Sequence, residues 1–222
     1  MPIRSFRERV LEPELMDHLP EEEAAPNLAD IVRLNRKWGG HRTLVSLLDR
    51  TIPRDEAFTI LDVGAASGDM GGVISAQRPK SKVTGLDSRL SHMARCASPK
   101  VVADAFHMPF PALSFDYVFC SLFLHHFTNS ECETLMREFA RIARKRVLVI
   151  DLWRNPVPYY FLAWTHRIFD WNPVTVYDGT RSVAASFQRH ELVQLMARAG
   201  LSDIRARTHF PACRISLSAR AL

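Results

Sequence analysis

Two aspartates flanking a run of small residues are the groups in this 222-residue chain best placed to do chemistry. Phe58 to Val63 is a short, continuous apolar run carrying Asp62 near its end, and Gly64, Ala65, Ala66, Ser67 and Gly68 follow without interruption. Small side chains let a ligand lie against bare backbone, and glycine supplies turn geometries that a β-carbon forbids. A helix opening near Gly68 would point unpaired N–H groups and a partial positive charge at that ligand. A second run, Lys82 to Leu86, ends in Asp87, about 20 residues beyond the turn, the spacing at which an acid reaches ribose hydroxyls. The chemistry implied is the holding of a nucleotide-type cofactor.

A second group could move a proton. His125 and His126 follow the apolar run Phe115 to Ser121, and histidine titrates near neutrality. Asp151 ends the run Arg146 to Ile150, and Arg154, Tyr160, Arg167 and Asp178 come from the aromatic-rich stretch after it. These could orient a polar acceptor, or form an Asp–Arg pair that holds a lid closed. No clustered carboxylates accompany the histidines in the sequence, so no metal site is expected.

These groups need elements to position them. Leu28 to Lys37 and Thr43 to Arg50 read as helices separated by Gly39 and Gly40, after a 27-residue arm with one helical turn near Leu11 to Leu19. Strands are expected at 58–63, 82–86, 101–102, 115–121 and 146–150, with helices at Met70–Gln77, Ser88–Cys96 and Glu131–Ala143 between them. The alternation implies an α/β fold, a doubly wound and mainly parallel sheet with helices on both faces. A helix at Tyr159–Phe169 and a loop through Pro173 to Ser182 follow, then a helix at Arg189–Ala199 and strands at 203–208 and 213–218. The expected organisation is one domain over 1–222: a helical arm (1–50), a cofactor-binding core (57–151), a substrate lid or ordinary packing insertion (152–187), and a C-terminal helix and strands (188–222).

Composition narrows the class. Apolar residues make up 47% and charged residues 24% of the chain, enough for a packed core. No apolar run approaches the roughly 18 residues a membrane span needs, and the opening MPIRSFRERVLEPELMD mixes charges of both signs, unlike a secretion signal. Cys96, Cys120, Cys132 and Cys213 lie far apart without metal-type pairing and read as reduced thiols of a cytoplasmic protein. The net charge of +5 comes from scattered arginines, and no aromatic residues interleave with a basic stripe as nucleic-acid platforms require. A small molecule is therefore the expected partner rather than nucleic acid, for a monomer or homodimer.

ILDVGAASGD resembles the first motif of the class I S-adenosylmethionine-dependent methyltransferases, with Ala66 where that motif usually has its central glycine. VVADAFHMPFPALSFDYVFCSLFLHHF is similar to the next segment, and the LHHF strand end is similar to the ubiquinone/menaquinone-type, small-molecule branch. EPELMD, LNRKWGG and DLWRNPVPYY…YDGTRS are similar to a bacterial subgroup often associated with type III polyketide synthases or flavin oxidoreductases. The resemblance implies a seven-stranded Rossmann-like sheet whose last strand is antiparallel, and S-adenosylmethionine as cofactor. Asp62, Gly64, Ala65 and Gly68 would contact that cofactor, with Asp87 and Ser88 at the ribose. Asp104 and Ala105 would meet adenine, and Cys120, Ser121 and Leu122 would flank the methionine part. His125 is the candidate general base, and His126, Asp151, Arg154, Tyr160, Arg167 and Asp178 are candidates for the acceptor side. Asn35, Arg36 or Trp38, in an arm across the cofactor mouth, could touch the methionine carboxylate or the acceptor. The implied reaction methylates a hydroxyl or activated ring carbon of a hydrophobic small molecule. RNA or protein methylation, and cofactor binding without catalysis, are the alternatives. A dinucleotide-binding oxidoreductase competes for the glycine turn, since Gly71 and Gly72 follow it, but no Tyr-x-x-x-Lys pair is present.

Overall fold

The computed structural model describes residues 6–16, 19 and 21–221, with backbone only for 21–24. Seven strands form one sheet in the order β3-β2-β1-β4-β5-β7-β6. They are β1 (Phe58–Val63), β2 (Ser81–Asp87), β3 (Lys100–Val102), β4 (Phe115–Ser121), β5 (Ala143–Leu152), β6 (Ser202–His209) and β7 (Arg214–Arg220). The first five pair in parallel, and β7 runs antiparallel between β5 and β6. Strand order reverses between β1 and β4, and ligands in open α/β sheets bind at the carboxyl ends beside such a switch.

The helices are α1 (Glu21–Lys37), α2 (Gly40–Thr51), α3 (Asp69–Gln77), α4 (Asn129–Ile142), α5 (Pro156–Phe169), α6 (Pro173–Ala185) and α7 (Arg189–Arg198). Leu44, Leu48, Ile60, Ile74 and Phe119 fill one side of the sheet, and Leu61, Val118, Leu135, Phe139 and Leu195 the other. The central strands are therefore buried on both faces, which is why they read as unbroken apolar runs.

Three elements differ from expectation. The first helix begins at Glu21 rather than Leu28 and carries Pro26 inside it; the prolines there masked a helix that its packing on the rest of the fold sustains. The helix expected at Ser88–Cys96 is a series of turns, with i→i−3 bonds such as Met93 N–H to Leu90 O and Cys96 N–H to Met93 O. That link must press Cys96 against the Gly68 turn within one short crossover, which leaves no room for a regular helix. The loop expected at Pro173–Ser182 is α6. Asn172 Oδ1 accepts from Val174 N–H at 2.9 Å and Pro173 opens the first turn, a start well suited to a helix. Its Gly179 looks like a breaker, yet a β-carbon there would collide with Leu162 Cδ1 on α5. The helical turn expected near Leu11 to Leu19 falls partly outside the described residues, and 11–14 are not helical.

α5 and α6 lie over the carboxyl edge of the sheet. Trp38 at the end of α1 locks onto this pair, edge-on to Phe161, Phe169 and Trp171 at centroid distances of 5.6, 5.0 and 5.3 Å. Residues 6–16 run across the same edge as a strap. Arg154 donates to Phe6 O and Arg7 O, Arg9 to Ala185 O and Phe127 O, and Asp178 accepts from the N–H groups of Leu15 and Met16.

Candidate functional site

A cavity of about 770 Å³ opens between the strand ends, the strap and α5–α6. One end is built by the β1 turn. Gly64, Ala66 and Gly68 have φ of 69°, 45° and 75°, so the chain doubles back through left-handed backbone before α3 starts. The glycines are also demanded by the protein's own packing. A β-carbon on Gly64 would lie 2.5 Å from the Phe123 ring, and one on Gly68 would lie 2.7 Å from Cys96 Sγ. Ala66 bears a β-carbon in this region, at a cost of about 1–2 kcal/mol, and its N–H is held by Asp87 Oδ2 at 3.0 Å.

Asp87 also accepts from Arg89 N–H at 3.1 Å, and His92 Nδ1 lies 3.6 Å away. Burial pushes the Asp87 carboxyl up, but His92 and the two N–H groups outweigh it, so it stays ionised and below its ordinary value. Asp62 behaves in the opposite way. Burial, with Asp69 and Asp87 nearby, raises it to about 7 against the hydrogen bond from Gly71 N–H. Among the described residues its Oδ2 has no hydrogen-bond partner, and neither have Asn35 Oδ1 and Ser121 Oγ, two other buried polar atoms of residues on the cavity wall. Buried polar atoms are normally satisfied, so three on one wall suit a ligand that brings an ammonium and hydroxyls. Asn35 Nδ2 and His41 Nε2 both bond Asp69, tying α1 and α2 to the turn.

The other end is built around His125, in the 3₁₀ turn Leu124–His126 after β4. Its Nδ1 lies 2.6 Å from Asp151 Oδ1 at the end of β5, and its N–H donates to Asp151 Oδ2 at 3.3 Å. Leu152 N–H adds a bond to Oδ1 at 2.7 Å. His125 is 3% exposed and Asp151 fully buried. Burial opposes a charge on His125, but Asp151 and then Glu14 outweigh it and raise its pKa; the same pairing holds Asp151 below its ordinary value. Glu14 arrives from the strap, its Oε1 3.9 Å from both His125 Nε2 and His126 Nδ1 and 2.5 Å from Ser182 Oγ. The expectation that no carboxylate accompanies the histidines is thus corrected: a residue more than 100 positions away supplies one. Glu14, His125 and His126 offer three donor atoms within 4.8 Å of one another, a set able to hold a cation.

The candidate residues separate clearly. Gly64, Ala65, Asp87, Ser88, Asp104, Ala105, Ser121 and Leu122 line the cavity with Asp62. Gly68 caps α3 just behind that wall. Asp104 is largely exposed and turns back on its own loop, accepting from Phe106 N–H at 2.9 Å. Cys120 is off the cavity wall, fully buried in the core, because alternate residues of β4 face opposite ways. On the acceptor side His126 and Asp178 line the cavity, the latter while gripping the strap. Arg154 does not. Its guanidinium is spent on Glu191 (2.7 and 2.9 Å), Ser186 O and the strap carbonyls, so it is a strut, paired with a glutamate and not with the expected aspartate, rather than a substrate ligand. Tyr160 is off the wall, stacked on Trp164 at 5.2 Å, and Arg167 is exposed on α5. Asn35 and Trp38 reach the cavity and Arg36 does not. His92 and Arg214 carried no signal in the sequence; Glu14 lies in EPELMD and Leu28 and Ile31 on a helical apolar face, but nothing in either pattern places them on the cavity wall.

Comparison with known proteins places this geometry. Residues 61–150 match the family model described as a methyltransferase domain. The core of the chain is thus similar to a methyltransferase domain. The cofactor of such domains is S-adenosylmethionine, and the orphaned Asp62, Asn35 and Ser121 atoms beside the Asp87 carboxylate fit it. A demethylmenaquinone methyltransferase of Thermotoga maritima is 25% identical over 146 residues, 62% of this chain and 60% of that protein. The human N-acetylserotonin methyltransferase, solved with S-adenosylmethionine, shares the fold at a TM-score of 0.65 and 14% identity, over 92% of this chain and 60% of that one. The methyltransferase SibL matches at a TM-score of 0.61 and 19% identity, over 82% and 55%. The chain thus spans only about 55–60% of the length of these relatives. No helix among the described residues is long and apolar enough to cross a membrane.

Proposed function

We propose that this chain methylates a hydroxyl, or an activated ring carbon, of a hydrophobic small molecule of phenol, quinone or polyketide-like type. The observation that carries the reading is His125 on the wall of a cavity whose lining as a whole is largely apolar, backed by the buried carboxylate of Asp151. The relatives named for demethylmenaquinone and N-acetylserotonin support a small-molecule acceptor.

Bound in the cavity, S-adenosylmethionine supplies an electrophilic methyl group on a sulfonium. Asp87 accepts from the ribose hydroxyls, which its ionised state favours. Asp62 would hold the amino group, and Ser88 and Ala105 would flank the nucleoside. His125 Nε2 would take the acceptor's proton as its oxygen bonds the methyl carbon and the methyl–sulfur bond breaks, the neutral thioether being the leaving group, a role worth about 10²–10⁴-fold. Asp151 holds the Nδ1–H, fixing tautomer and ring direction and stabilising the imidazolium that forms. Leu28, Ile31, Phe161 and Leu162 shape the space for the body of the acceptor and exclude water from the transfer.

Turnover with labelled S-adenosylmethionine against phenols, quinones, alkylresorcinols and pyrones, with bulk RNA alongside, tests this. Label in at least one phenolic or quinone acceptor is expected. Label in RNA alone overturns the reading.

A further inference from the structure

Arg214, the first residue of β7, lies on the cavity wall and is 8% exposed, yet among the described residues its side chain makes no hydrogen bond, ion pair or ring contact. Other buried arginines of this protein are paired. Arg154 holds Glu191 through two nitrogens, and Arg78 donates to Asp49 at 2.8 Å and to Gln77 O. The nearest opposing charge to Arg214 is Asp151, whose oxygens are already taken by His125 and Leu152. Burial, against the raising effect of Asp151 and Cys213, pulls the guanidinium down to about 10, still charged at neutral pH. A buried, unpaired cation is strongly unfavourable, and a guanidinium is shaped to receive two oxygens of one oxyanion.

Sheet order decides which ligand brings that oxyanion. Asp87 and Asp62 end β2 and β1, so the cofactor's determinants lie on one side of β4. Arg214 pairs in register with Leu152 of β5, next to Asp151 and hence beside His125, on the other side. The neighbouring wall, Leu152, Pro211, Ala212 and Cys213, offers no acidic side chain.

We propose that Arg214 is an anion anchor for the acceptor, and that the acceptor is an aromatic or polyketide-like acid bound by its carboxylate. The inference rests on the methyltransferase reading and names the substrate class of the same site. The carboxylate sits on Arg214, the apolar body lies against α1 and α5, and the hydroxyl is presented to His125. Only the hydroxyl reacts.

Calorimetry on the full chain and on Arg214→Met tests it with two probe pairs: 2,4-dihydroxybenzoate against its methyl ester, and S-adenosylhomocysteine against 5′-methylthioadenosine. With the product cofactor bound, the unmodified protein should favour the acid over the ester at least ten-fold. Arg214→Met should abolish the preference, Arg214→Lys should keep part of it, and S-adenosylhomocysteine affinity should stay within three-fold. The ligand-free Arg214→Met protein should melt no lower than the parent, because an unpaired buried charge has been removed; that also shows the variant is folded. A preference for the acid that survives in Arg214→Met, or none in the parent, overturns the proposal. Selective loss of S-adenosylhomocysteine with 5′-methylthioadenosine unaffected overturns the acceptor assignment, since the anion is then the cofactor's own carboxylate. Methylation of neutral phenols without any acid preference would leave the methyltransferase reading standing and remove only this inference.

Discussion

Between Phe58 and Asp87 a single stretch supplies two strands, the glycine turn, a helix and both carboxylates of the cofactor end of the cavity. The acceptor end draws Glu14, His125, Asp151, Asp178 and Arg214 from five segments scattered from residue 14 to residue 214. The first is a local device, in which turn geometry and strand ends set the positions of Asp62 and Asp87. The second exists only once a strap, a 3₁₀ turn, two strand ends and a helix have met. On the proposed reading, a donor would be held by a fixed local design and the acceptor chosen by long-range packing.

The comparison breaks most sharply at His125. His125→Ala should lower kcat by about 10²–10⁴-fold while S-adenosylhomocysteine binds within about three-fold of the parent; unchanged turnover would remove the base from the acceptor end. The parent's rate should climb with pH on a limb above the ordinary histidine value, because the folded protein holds that proton more tightly. Glu14→Gln removes one of the charges responsible and should move the limb to lower pH.

Asp87→Asn probes the cofactor end. Losing charge-assisted bonds to the ribose is worth about 1.5–3 kcal/mol, so S-adenosylhomocysteine should bind about ten- to a hundred-fold more weakly, with kcat at saturation little changed. Equal loss of kcat at saturating cofactor would show that the two ends do not act separately.

Asp62 gives a smaller, pH-linked effect. Its folded pKa of about 7 lies above the unfolded value, so the folded state binds the extra proton. The resulting stability is fully present below about pH 4, is lost as pH rises toward 7, and is absent above it. An ammonium placed on Asp62 lowers that pKa, so binding near pH 6 should release a proton. Calorimetry in buffers of different ionisation enthalpy measures the release, and an enthalpy independent of buffer would place the amino group elsewhere. Smallest of all, Ala66→Gly relieves left-handed strain but frees the unfolded chain, for a net gain of at most about 1 kcal/mol, read by thermal or urea unfolding.

Legibility followed the same division. The parallel strands were visible because burial on both faces makes each a continuous apolar run, and Asp62, Gly64 and Asp87 were visible because their spacing along the chain is itself the structural constraint. α6 was hidden by Val174, Thr175, Val176 and Gly179, residues that read as non-helical until Asn172 caps the start and Leu162 fills the space a β-carbon would take. Arg154 and Arg167 looked alike in sequence, yet one is buried as a strut and the other is exposed. Cys120 and Ser121 are neighbours on opposite faces of one strand, so only the latter meets the cavity.

The sequence by itself determined the sheet, the turn and the kind of cofactor, because each depends on residues within a few turns of chain. Only the tertiary structure decided that His125 stands between Asp151 and Glu14, and that Arg214 is buried with no side-chain partner among the described residues. Charge pairing and burial depend on distance in space, and nothing in the order of residues records which distant carboxylate reaches a histidine or which arginine is left waiting for one.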